Sequence, residues 1–166
     1  MIAGDEIADL ADRDADLLDG RHYDEWLALL TEDFWYWIPL TQDQPGPLSG
    51  PSHVWETRDA LTARILRLKD ANNLPQQPPS RVSRILGRHR VVQGAEEWHG
   101  RVDLVARLPF HLVEALPHHD AESATRIFAG TITYGLVRQA QDLRIRWRRV
   151  DLINSEKGLH GVSILL

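Results

Sequence analysis

Cysteine is absent from this chain of 166 residues, and its single methionine is residue 1. Disulfides, thiolate zinc sites, cysteine-held iron–sulfur clusters and a cysteine nucleophile are therefore excluded. Long apolar runs are missing as well. No stretch approaches the ~20 residues of a membrane-spanning helix, and residues 1–20 are acidic and lack a signal-peptide core. These absences predict a cytoplasmic protein with no membrane partner. Positive charge is not in excess either: the formal net charge is −5 and the pI is near 5.9, so the electrostatic footprint of a nucleic-acid binder is lacking.

What is present fits one domain spanning 1–166, since 43% of the residues are hydrophobic, enough for a sizeable core. Charge is unevenly spread. Residues 1–33 carry 11 Asp or Glu against 2 Arg, a net −9, which leaves the remainder at +4. Seventeen of the 19 cationic residues are arginine, which favours planar pairing with carboxylates at packed contacts.

Ile7, Leu10, Ala11, Leu17 and Leu18 share one helical face over about 3–19, with Gly20 as the stop and the acids opposite. Tyr23, Trp26, Leu27 and Leu30 predict a short second helix, with Asp24 and Glu25 at its positive end. A loop at 41–53 precedes a third helix, supported by Val54, Leu61, Ile65 and Leu68 and ending near Lys69. From Arg81 the period changes to that of strands: 81–92, 98–110, 126–137 and 143–154, with a hairpin turn at Gln139–Asp142. Helices first and strands afterwards predict an α+β fold, with helices on one face of a curved antiparallel sheet.

The segment DFWYWIPL (33–40) strains that picture. A strand would send Phe34, Tyr36 and Ile38 to one side and Trp35 and Trp37 to the other, so both faces need cover. In LRIRWRRVDLIN (143–154), Leu143, Ile145 and Trp147 are apolar at odd positions and Val150 and Leu152 at even ones. An extra residue at Arg148 or Arg149, a β-bulge, would return both sets to one face.

Candidate chemistry is thin. None of the eight histidines forms a His-x-His or His-Glu-x-x-His spacing, and His118–His119 falls in a Pro- and acid-containing loop, so no metal site is expected. Tyr36, His99, Asp103, Tyr134 and Arg126 could converge as an acid–base set, although single polar groups on half-exposed strands are ordinary. Ser52, Ser80 and Ser83 lack a nucleophile elbow, and the glycines make no phosphate cradle. Arg144, Arg146 and Arg148 alternate along one strand and suit either a solvated face or an acidic partner.

Four stretches occur together in an order and spacing that resemble the small (β) subunit of aromatic-ring-hydroxylating dioxygenases. They are YDEWLALLTEDFWYWIPL, PPSRVSRILGRHRVV, IFAG, and LRIRWRRVDLIN with the closing GVSILL. The resemblance spans nearly the whole chain and implies a cystatin-like or nuclear-transport-factor-like cone of helices on a strongly curved antiparallel sheet. It implies too that three such subunits associate with three large α subunits, and that the α subunit carries the Rieske [2Fe–2S] cluster and the mononuclear iron. The β subunit is then mainly structural, with no catalytic, cofactor-binding or metal residue and no cofactor of its own. A chain without cysteine agrees with that division, because a Rieske centre needs two thiolates and two imidazoles.

Two functions follow from these residues. In the first, the chain holds α subunits in register, with Trp35, Trp37, Arg144, Arg146 and Arg148 at subunit interfaces, where Trp and Arg are enriched. In the second, it is a free-standing dehydratase or isomerase of the same cone fold, with Tyr36, His99, Asp103 and Tyr134 in an enclosed pocket. The fold accommodates both, and the aromatic substrate and electron-transfer partners are not encoded in these motifs.

Overall fold

An apolar arc in which Ile7, Leu10, Ala11, Leu17 and Leu18 are all buried makes the first helix, α1 (Gly4–Asp19). Its start is fixed by the Glu6 carboxylate, which accepts from the Ala3 backbone N–H at 2.8 Å. Arg21, at φ 58, turns the chain into α2 (Tyr23–Leu27), whose Tyr23 and Trp26 are buried. A third helix, α3 (Arg58–Lys69), begins where Thr57 Oγ1 accepts from the Ala60 N–H, and it buries Leu61, Ile65 and Leu68. The structure, a computed structural model, describes residues 2–70, 72, 78–92, 100–116, 125–157, 159, 162 and 164–166.

The strands are β1 (Leu30–Pro39), β2 (Ser52–Thr57), β3 (Arg81–Leu86), β4 (Arg90–Val92), β5 (Leu104–Ala115), β6 (Thr125–Gln139) and β7 (Asp142–Leu152). They form one sheet in the order β2-β1-β7-β6-β5-β3, with β4 beside β5. Every pair is antiparallel except β1 with β7. The sheet is therefore mixed, where an antiparallel one was expected. The cause is topological: β1 pairs with the last strand in sequence and not with its hairpin partner alone.

Five local expectations also change. Leu30 opens β1 and is no part of the second helix, which ends at Leu27. Val54 lies in β2 and not in the third helix, which starts at Arg58. The stretch 81–92 is two strands, broken where Gly87 packs on Pro109 and donates to its carbonyl oxygen at 2.8 Å. The stretch 98–110 becomes regular only at Leu104. The bulge exists, but at Arg146: Ile145 pairs with Leu136 and Trp147 with Gly135, leaving Arg146 unopposed. Placed there, it returns Ile145, Val150 and Leu152 to the helix-covered inner face but sends Trp147 outward.

Gly135 explains why the bulge sits there. A Cβ on Gly135 would lie 2.1 Å from Cε2 of Trp147, so the indole lies across a bare backbone. The pleat then sorts the remaining positions. Phe34, Tyr36, Ile38, Ala106, Leu108, Ile132, Tyr134, Arg148 and Val150 line the inner side, whereas Trp35, Trp37, Val105, Thr133, Trp147 and Arg149 lie on the outer side. The two-residue turn between β6 and β7 holds Ala140 at φ 54.

Two substitutions test this account. Gly135→Ala forces Trp147 off the backbone and should destabilise the fold by about 1–3 kcal/mol in urea denaturation. Ala140→Gly relieves a left-handed residue and should stabilise it by about 1 kcal/mol. Stability unchanged by Gly135→Ala would show that the indole does not depend on the missing side chain.

Candidate functional site

Two regions gather the residues singled out by sequence: the interior between helices and sheet, and the outer face of the sheet. The interior centres on Asp14, an acid at the middle of the apolar arc of α1 and only 1% exposed. Its Oδ1 accepts from Trp26 Nε1 at 2.7 Å. Its Oδ2 accepts from the Tyr134 hydroxyl at 2.7 Å and from Arg148 Nε and Nη2 at 3.3 and 3.2 Å. Arg148 is 0% exposed and also donates through Nη1 to the carbonyl oxygen of Leu166. Tyr36 donates its hydroxyl to that same oxygen at 3.2 Å and accepts from the Leu166 N–H at 3.1 Å. Arg84, ion-paired with Asp19 at 3.0 Å, donates to the Leu165 carbonyl oxygen at 3.0 Å.

The segment Ile164–Leu166 thus fills the space between the helices and the sheet, and all three residues are buried. Burial raises the pKa of Tyr36 and of Tyr134, and the Asp14 charge raises that of Tyr134 further. Burial works against the charge of Arg148, but Asp14 and the two tyrosines outweigh it and hold the guanidinium above its ordinary value. Burial also lowers the pKa of Arg84, with the Arg148 charge adding to the effect. These are stably neutral phenols beside a fixed cation, and neither tyrosine is poised to exchange protons near neutrality.

Of the expected acid–base set, the structure brings together only Tyr36 and Tyr134, on either side of Arg148. Asp103 is exposed and caps the β5–β6 edge by accepting from the Arg138 N–H at 2.7 Å. Arg126 is held across the strands by buried Glu114, through Nε at 2.9 Å. His99 lies outside the described residues, as do His118 and His119. Among the described residues no group of three or more His, Asp or Glu is gathered as a metal site, and no helix is long and apolar enough to cross a membrane.

The outer face answers why β1 is aromatic on both sides. Trp37 is 0% exposed within its own chain: Nε1 donates to Ser52 Oγ at 2.9 Å, and the Arg149 guanidinium stacks 4.4 Å from its ring centre. Arg149 is oriented in turn by Asp151, at 3.0 and 2.8 Å. Trp35 is only half-buried and stacks on Trp55 with ring centres 5.0 Å apart. These two rings and the loop Pro45–Ser49 line a groove of about 510 Å³, beside which Leu48 is 85% exposed.

The three alternating arginines do not share a face. Arg144 pairs with Asp142 at 3.0 Å, and Arg146 with Asp33 at 2.5 Å. Arg148, one step past the bulge, points inward, so it is a core residue and not a surface one. Burial tends to raise the Asp33 pKa, but the Thr31 hydroxyl and the Arg146 guanidinium hold its carboxyl below the usual aspartate range. Sequence reading missed Asp14 and Trp55. An acid flanked by Leu10, Ala11, Ala15, Leu17 and Leu18 was the available signal for the first.

The family model described as ring hydroxylating beta subunit matches residues 13–156. The chain is 29% identical to the small oxygenase component of the p-cumate 2,3-dioxygenase system of Pseudomonas putida, over 100% of this chain and 88% of that one. Among solved structures it resembles the beta subunit of benzoate 1,2-dioxygenase from Burkholderia mallei, with TM-score 0.74, 20% identity and 99% of each chain covered. It also resembles naphthalene 1,2-dioxygenase with indole bound in the active site, with TM-score 0.75, 17% identity, and 98% of this chain and 85% of that one covered.

The interior network predicts non-additive energetics. Arg148→Met strands a buried carboxylate and should cost about 3–5 kcal/mol, whereas Arg148→Met with Asp14→Leu should cost clearly less than the two single changes summed, both read by urea denaturation. The tyrosines predict an alkaline limit. Their raised pKa values give stability that is full below the unfolded tyrosine value of about 10 and is lost as pH rises above it, because the unfolded chain releases phenolic protons that the folded one keeps. Phenolate absorbance should therefore appear together with loss of near-ultraviolet circular dichroism, and its appearance well before unfolding would contradict the network.

Proposed function

The chain belongs to the ring hydroxylating beta subunit family, and on that premise we propose that its whole length, 1–166, acts as one non-catalytic domain that holds iron-containing large subunits in register. It is a β subunit of an aromatic-ring dioxygenase. The oxidative chemistry then belongs to a large α subunit, which supplies the Rieske cluster and the mononuclear iron; this chain has no cysteine with which to bind the former. Three copies with three α subunits, in the cytoplasm, is the assembly consistent with that role.

The observation that carries the non-catalytic role is the filled interior. Tyr36, Tyr134, Arg148 and Leu166 are each 2% exposed or less, and their polar atoms are committed to Asp14 and to one another. A dehydratase or isomerase would need that space open to substrate. Among the apolar groups this chain leaves exposed are Trp55, stacked on half-buried Trp35, and Leu48, which line one groove on the outer side. Aromatic anchors beside a cleft are the usual centre of a subunit contact, and the Trp35 groove is assigned that role here. Trp37 supports the contact from within, since its own chain already buries it.

Co-expression with the adjacent gene for a ~450-residue chain bearing two Cys-x-His pairs tests this reading. The two chains should co-purify, and ring dihydroxylation should require both. Turnover by this chain alone, given an electron source, would overturn the structural role. Trp55→Arg should weaken binding of the large subunit by tenfold or more, about 1.4 kcal/mol, while leaving the melting temperature of the isolated chain unchanged. An intact complex for that variant in sedimentation would move the contact elsewhere.

A further inference from the structure

Two charged surfaces of this chain find no opposite charge among the described residues, and they are opposite in sign. On α1, Asp5, Asp9, Asp12 and Asp16 are all exposed. At 100° per residue they fall within an arc of about 60°, forming a single crest directed away from the sheet. Asp5 with Asp9 and Asp12 with Asp16 are i,i+4 pairs of like charge, which weakens a helix. Among the described residues none of the four has an ion-pair partner, although Glu6, Asp14 and Asp19 on the same helix all do.

On the outer face, Arg90 of β4 stands directly opposite Arg107 of β5, and both are exposed. Like charges directly opposite in a sheet are destabilising. Arg88 joins them, and with His89, Pro109 and Thr131 they line a cleft of about 630 Å³. Arg107 donates to Thr133 Oγ1 at 3.3 Å, and no carboxylate among the described residues pairs with Arg88, Arg90 or Arg107. By contrast, Arg149 in the same cross-sheet row is neutralised by Asp151.

We infer that the acidic crest of α1 in one copy of this chain docks into the Arg88–Arg90–Arg107 cleft of the next copy. Each surface supplies the charge that the other lacks, and both are present in equal number in any assembly of this chain. The crest belongs to α1 and the cleft to β4, β5 and the residues before β4, so the contact joins two different surfaces and is heterologous. A heterologous contact closes into a ring when the rotation allows and otherwise runs on as a filament. The inference rests on the assembly reading above only in requiring that copies of this chain meet, and it specifies which surfaces do so.

The test is sedimentation equilibrium of the purified chain at low and high salt, with capture of the large subunit measured separately. Arg90→Glu with Arg107→Glu, or Asp12→Arg with Asp16→Arg, should each raise the self-association Kd by about tenfold or more, as high salt should for the native chain. Melting curves should be unchanged, because all four side chains are exposed. A chain carrying all four substitutions restores opposite signs and should reassemble to within about threefold of the native Kd. The inference is overturned if both double variants assemble normally, if the fourfold variant does no better than the doubles, or if the native chain stays monomeric at every concentration. It is overturned equally if Arg90→Glu with Arg107→Glu releases the large subunit while self-association persists, which would assign the cleft to that partner. Failure of the β-subunit reading is a different result: the native chain would not capture the large subunit at all.

Discussion

Asp14 is buried under the sheet, where three separate elements donate to it and two further parts of the chain are tied to it through Arg148. Trp26 of α2, Tyr134 of β6 and Arg148 of β7 donate to its carboxylate, and Arg148 passes the connection on to Leu166 and through it to Tyr36 of β1. Desolvating such a pair is costly, and an apolar substitute of similar volume can match its stability. What apolar side chains could not supply is direction. One carboxylate with three donors fixes the roll of α1, the docking of α2 and the seat of the segment Ile164–Leu166 together, so the cone closes in one arrangement.

The same closure fills the space between the helices and the sheet. A cone becomes a catalytic pocket when its interior stays open and its ionisable groups sit near their working pKa. Here the interior is occupied, the tyrosines are pushed upward by burial, and the guanidinium is locked by its counter-ion. On the strands' other side lie the stacked Trp35 and Trp55, and Arg88, Arg90 and Arg107, which pair with no carboxylate among the described residues.

Both faces of the sheet depend on one irregularity. Without the extra residue at Arg146, the residues of β7 on either side of it would stand on opposite faces, and either Ile145 or Val150 with Leu152 would lose its place in the core. The bulge also turns Arg146 toward Asp33, which ties the N-terminal end of β1 to β7 and aids the parallel pairing of these two strands. Gly135 permits it by leaving room for Trp147. Three local features at neighbouring positions thus decide which aromatic residues are structural and which remain available.

The sequence by itself determined the α+β class, the first helix over about 3–19, the existence of a short second helix from Tyr23, the strand character of the second half and the hairpin at Gln139–Asp142, because these follow from local periodicity and turn chemistry. It determined that β7 must slip phase, and its missing cysteines leave no thiolate with which to hold a Rieske cluster. Tertiary structure decided the rest, for reasons no local pattern contains. Pairing of β1 with β7 joins residues more than a hundred positions apart. The bulge falls at Arg146 and not at Arg148 or Arg149 because Gly135, on the neighbouring strand, is where an indole fits. Arg148 looks like its neighbours Arg144 and Arg146 in sequence, yet it lies in the core because a carboxylate from α1 meets it there. Trp35 and Trp37 differ for the same kind of reason: Ser52 and Arg149 cover one, and only Trp55 and a loop partly cover the other.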